Sequence, residues 1–111
     1  MLGGRAKFIT QLGDDPFGKK IAGDLVRAGI DTSLIGFTDK ANTALAFVSL
    51  ETDGNRTFSF YRNPSADMLF SAEQVKAEWF ADAYALHFCS VSLGDFPMKE
   101  AHRKAIACAR E

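Results

Sequence analysis

At 111 residues, 47% of them hydrophobic and ten of them Phe, the chain has the composition of a globular domain of at most one domain's length. Its formal charge of −1, with basic residues dispersed, leaves no electrostatic footprint for nucleic acid or an anionic membrane surface. No apolar run approaches the roughly 20 residues a membrane span needs, and Met1–Arg5 lacks a signal-peptide stretch, so the expected location is cytoplasmic.

In chain order, Ala6–Leu12 reads as a short apolar strand. Asp15-Pro16 marks a helix start, with Asp as N-cap and Pro at the first helical position. Phe17, Ile21 and Leu25 then recur at helical spacing, and Gly29 is placed to end the helix. Ile35–Thr38 is a second short strand. Ala44–Leu50 and Thr57–Arg62 read as two strands joined by a turn at Asp53-Gly54, where glycine supplies the positive φ that such turns need. Ser71 and Gln74 have capping-box spacing, predicting a helix to about Phe80. Tyr84–Val91 reads as an apolar strand, and Pro97 opens a last helix through Arg110. The order β-α-β-hairpin-α-β-α predicts an α/β fold with a mostly parallel sheet and an antiparallel excursion.

Several chemical motifs can be set aside. Gly13-Asp14-Asp15-Pro16-Phe17-Gly18-Lys19-Lys20 imitates a phosphate-binding P-loop. Two carboxylates inside it would repel the anion, Pro16 removes a backbone donor, and Lys20 cannot supply the Mg²⁺-binding hydroxyl. Ser90, His87 and Asp95 lack the G-x-S-x-G elbow of a hydrolase. His87 and His102 have no metal-ligand company, and Cys89 and Cys108 read as reduced core residues. Asp14, Asp15, Glu73 and Glu78 suit helix starts better than catalysis.

The segment Phe58-Ser59-Phe60-Tyr61-Arg62-Asn63-Pro64-Ser65 is the most informative. Phe58, Phe60 and Arg62 are two residues apart and share one face of an extended strand, and Pro64 ends it. Two flat rings and a five-donor guanidinium suit a small oxygen-rich ligand. The same spacing also suits an edge strand whose rings pack on a core and whose arginine is solvated.

The run Asn42-Thr43-Ala44-Leu45-Ala46-Phe47-Val48, the hairpin, and Phe60-Tyr61-Arg62-Asn63-Pro64-Ser65-Ala66-Asp67-Met68-Leu69 resemble the PfkB/ribokinase-like carbohydrate kinases, above all the fructokinases. Upstream, Gly13-Asp14-Asp15-Pro16-Phe17-Gly18 is similar to the family's G-x-D-x-F-G segment. The resemblance implies part of a ribokinase-like parallel sheet, with residues 42–63 as a lid hairpin over the sugar. It implies that Phe60 and Arg62 face the sugar, with Thr43, Ala46 and Asn63 as further candidates. It also implies homo-oligomers through lid strands or sheet edges, and ATP and Mg²⁺ as cofactors of the full-length family. The family's Gly-rich sugar-binding segment would lie before residue 1, and its Gly-Ala-Gly-Asp motif, with the catalytic base, is absent from these 111 residues. The expectation is a fragment of a fructokinase-like kinase that is inactive alone and binds no cofactor itself. A non-catalytic oligomerisation module is the alternative.

Overall fold

The computed structural model describes residues 3–111, which divide near Asp67 into two compact units. In the first unit, β1 (Thr10–Gly13) pairs in parallel with β2 (Ile35–Thr38), from Thr10 opposite Ile35 to Gly13 opposite Thr38. The strand expected from Ala6 is shorter than predicted. Only an isolated bridge joins Lys7 to Asp31, because a turn over Thr32–Leu34 closes by Ile35 N–H donating to Thr32 O at 3.1 Å and interrupts the ladder.

Helix α1 (Pro16–Arg27) crosses between the two strands, as the Asp15-Pro16 start predicts. Gly29 follows it with φ +77°, and its N–H donates to Val26 O at 2.9 Å, closing the last turn. The apolar stripe is present but thinly covered: Phe17 is 52% exposed, and Gly18 is the helix's one buried residue.

β3 (Leu45–Leu50) and β4 (Arg56–Tyr61) form the expected antiparallel hairpin; β3 starts one residue later than predicted and ends as predicted, and β4 lies one residue earlier at both ends. Its turn has Glu51 N–H donating to Asn55 O at 2.9 Å and Gly54 at φ +87°. Without a partner strand beyond Tyr61, Arg62 lies just outside the ladder.

The second unit departs further from expectation. The helix predicted over residues 71–80 is two 3₁₀ turns, Ala72–Gln74 and Ala77–Phe80, separated by extended Val75 and Lys76. The capping signal is real, with Gln74 Oε1 accepting from Ser71 N–H at 2.9 Å. A continuous α-helix would turn Val75 and Phe80 about 140° apart. The extended pair lets both be buried. Tyr84–Val91 is not a strand. Apolar character cannot make a ladder without a neighbour, and no described strand pairs with this stretch, whose C-terminal end enters a 3₁₀ turn at Ser90–Leu93. Helix α2 (Pro97–Arg110) forms as predicted and packs on these turns, with Met98 and Ala101 buried. Lys104 Nζ donates to Ala72 O at 3.0 Å. Cys89 is exposed and Cys108 partly so, which corrects the reading of both as core residues. Cys89 lies in the stretch that found no strand partner, so no sheet covers it. Among the described residues no helix is long and apolar enough to cross a membrane.

Candidate functional site

Register decides which side chains share a face of the hairpin. Phe60 lies opposite Ala46 and Phe58 opposite Val48, so these four line one face. The two phenyl rings stack at 5.9 Å with planes 6° apart. This stacked pair makes a flat apolar surface, and Ala46, exposed opposite Phe60, adds only a methyl beside it. On the other face, Phe47 meets Tyr61 edge-on at 5.4 Å. Phe58 and Phe60 are 52% and 66% exposed, and Phe47 and Tyr61 are 55% and 65% exposed, so both faces are open.

Arg62 follows the strand and is tied down. Its Nη2 donates to Asp67 Oδ2 at 2.6 Å, with about a quarter of each side chain exposed. The Ser65 hydroxyl donates to the other Asp67 oxygen. Charge and hydrogen bond together hold one end of the guanidinium at Asp67. Its Nε is covered by the chain and has no hydrogen-bond partner, the one buried side-chain polar atom of the described residues so placed. Asn63, on a cis bond to Pro64, is exposed at the loop that leaves the strand.

Thr43 is placed differently from the other predicted site residues. It is 5% exposed, and its hydroxyl accepts from Gly13 N–H at 3.0 Å. Its own N–H donates to Asp15 Oδ2 at 2.7 Å, while Asp15 Oδ1 accepts from Gly18 N–H at 2.8 Å. The Thr43 amide bond, then the Gly18 one, hold the Asp15 carboxyl below its ordinary range. These bonds also finish the P-loop imitation: the Gly13 and Gly18 N–H groups a phosphate would need are already engaged. The described residues therefore offer no fit to nucleotide phosphates at this loop.

The second end of the hairpin is fastened as well. Ala66, fully buried, donates its N–H to Asn42 O at 2.8 Å and accepts from Gln11 Nε2 at 2.9 Å. Structure thus brings Ala46 and Phe60 together on one face, with Arg62 and Asn63 at the end of β4, and puts Thr43 just before β3, bonded to the β1–α1 turn. Asp67, Ser65, Asp15 and Gln11 were not picked out from sequence as site residues. Asp67 lies five residues from Arg62 with opposite charge and two from Ser65, both local signals, whereas the Asp15–Thr43 and Gln11–Ala66 contacts span 28 and 55 residues.

The model of pfkB family carbohydrate kinases matches residues 1–111. Among curated proteins, the chain is 49% identical over 110 residues to a probable fructokinase-3 of Arabidopsis thaliana, covering 99% of this chain and 32% of the relative. It is 46% identical to a fructokinase of Solanum tuberosum, covering 34% of that protein. Among solved structures, the fructokinase of Xylella fastidiosa superposes with a TM-score of 0.91 at 41% identity, over 98% of this chain and 34% of that one. A fructokinase of Vibrio cholerae O395 superposes with a TM-score of 0.87 at 30% identity, over 98% of this chain and 37% of that one. The chain spans about a third of the length of the relatives it matches.

Proposed function

The chain belongs to the pfkB family of carbohydrate kinases, and from that premise we propose that it supplies the lid wall of the sugar site in a fructokinase-like kinase. In that wall the Phe60 ring covers the apolar face of a sugar such as fructose, and the small Ala46 side chain opposite it does not obstruct the ring's edge. Arg62 donates to a hydroxyl or keto oxygen, with Asn63 as a further donor at the rim. Thr43 holds the base of the hairpin and does not itself touch the sugar.

The observation that carries this reading is the Ala46–Phe60 pair, an open flat surface, next to a guanidinium fixed by Asp67. A merely solvated arginine would need no such support. Phosphoryl transfer depends on positioning and on stabilising the moving charge. The 111 residues carry no Gly-Ala-Gly-Asp motif and no phosphate cradle at the β1–α1 loop, so the polypeptide alone is inactive. ATP and Mg²⁺ belong to the complete kinase. The apolar residues open on both hairpin faces fit a second copy of the chain as partner.

The test joins this chain to the remaining two thirds of a fructokinase and measures sugar kinetics. Arg62→Ala and Phe60→Ala should each raise KM for fructose by about tenfold, the worth of one charged hydrogen bond or one stacked ring. Phe47→Ala, on the opposite face, should leave KM unchanged. Equal effects from all three would count against the assignment. ATP-dependent phosphorylation of fructose by the unjoined chain would contradict its inactivity.

A further inference from the structure

We propose that Asp15 is a positioning residue whose carboxylate fastens the foot of the β3–β4 hairpin to the start of α1, setting the direction in which the Ala46–Phe60–Arg62 wall is presented. That the wall receives sugar rests on the function proposed above; the fastening does not.

A helix cap needs one carboxylate oxygen, and Oδ1 fills that role at Gly18. The other oxygen of an ordinary cap faces solvent. In this chain Oδ2 accepts a 2.7 Å bond from the backbone of Thr43, 28 residues further on, two residues before β3 begins. An ionised acceptor makes this bond roughly twice as strong as a neutral one.

The surroundings are cut to fit the same foot. A Cβ on Gly13 would lie 2.5 Å from Thr43 N and 2.9 Å from Asn42 C, and one on Gly18 would lie 2.9 Å from Thr43 Oγ1. Neither glycine has positive φ among the described residues, so close approach, not backbone conformation, is what each position requires. Thr43 Oγ1 in turn accepts from Gly13 N–H. The returning foot is tied to the same place, through Ala66 N–H to Asn42 O and Gln11 Nε2 to Ala66 O. A two-stranded hairpin supported only by its own ladder would be marginal in water. Fixing both feet at one turn determines where its faces point.

Asp15→Ser separates the two roles of the carboxylate, because a serine hydroxyl caps Gly18 but cannot also reach Thr43. Amide hydrogen exchange of the full 111-residue chain, corrected for intrinsic rates, should show Thr43 exchanging about tenfold faster. Ala66 should accelerate with it, while Gly18 stays close to wild type. The amide shifts of Phe60 and Arg62 should move, a readout that a local cap does not touch. If Thr43, Ala66 and the Phe60 shift are unchanged, Asp15 is a cap only and the proposal fails. A uniform acceleration of all amides would also overturn it, as mere stabilisation. Should Asp15→Ser not fold, Asp15→Asn provides the second measurement. Its amide oxygen still caps Gly18 while its NH₂ cannot accept from Thr43 N–H, so the Phe60 and Arg62 shifts should move, and unchanged shifts again refute the anchor. Failure of the sugar reading has a separate signature: Arg62→Ala would leave fructose KM unaltered while the exchange pattern stood.

Discussion

Asp15 and Arg62 divide the polar work at the hairpin. Asp15 is held ionised, chiefly by the Thr43 amide and then the Gly18 amide, with its carboxyl below the usual aspartate range. A lowered folded-state value means stability that is fully present above the unfolded value and lost as pH falls through the folded one. The gap in urea midpoint between wild type and Asp15→Asn should therefore narrow on acidification below the ordinary carboxylate range. Asp24, held down first by its hydrogen bond from Lys20, and Asp31, by that from Ser33, are lowered as well, which is why the difference between the two proteins is the informative quantity. Near neutral pH, Asp15→Ala should cost about 2 kcal/mol, combining a lost cap with a lost charge-assisted bond. At the other end, Asp67→Ala releases the Arg62 guanidinium and removes the acceptor of the Ser65 hydroxyl. In the joined kinase the proposed function predicts a severalfold rise in fructose KM with little change in kcat, because there Asp67 would orient the group proposed to bind the sugar.

At the scale of elements, the tightest joint in the first unit is the β1–α1 turn. Gly13→Ala places a methyl against the backbone of Asn42 and Thr43, which cannot swing aside as a side chain can. Overpacking of this kind costs about 1–3 kcal/mol, and thermal unfolding should show the loss. Gly23→Ala in mid-α1 is the control: its Cβ would approach only the flexible end of Arg27, at 3.5 Å, and replacing glycine inside a helix should stabilise by about 0.5–1 kcal/mol. The elements that were legible in sequence share a property. Asp15-Pro16, Gly29, Asp53-Gly54 and Pro97 are local stereochemical signals, and each stands where its helix or turn begins or ends. The failures are non-local. Residues 71–80 carry a true capping signal, yet burial of Val75 and Phe80 breaks the helix it announces. Residues 84–91 are apolar enough for a strand and have no described strand beside them.

For the whole molecule, exposed apolar side chains dominate expectation. Phe47, Leu50, Phe58, Phe60 and Tyr61 of the hairpin and Phe17 and Val26 of α1 are all half exposed or more. Monomeric proteins seldom leave so many large apolar groups uncovered. Light scattering should therefore find the purified chain self-associated at micromolar concentration, and Phe47→Ser with Leu50→Ser should shift it toward monomer. A dispersed monomeric wild type would argue against a partner for the hairpin. Sequence by itself determined the pfkB-family membership, the order from β1 through the hairpin, the last helix and the alternation of Phe58 with Phe60, because turn chemistry, strand alternation and motif spacing are properties of neighbouring residues. Tertiary structure alone decided that Thr43 sits at the hairpin's foot in the grip of Asp15 and Gly13, and that Gln11 holds Ala66. Those pairings join residues that only folding brings within hydrogen-bonding distance, and no local pattern encodes them.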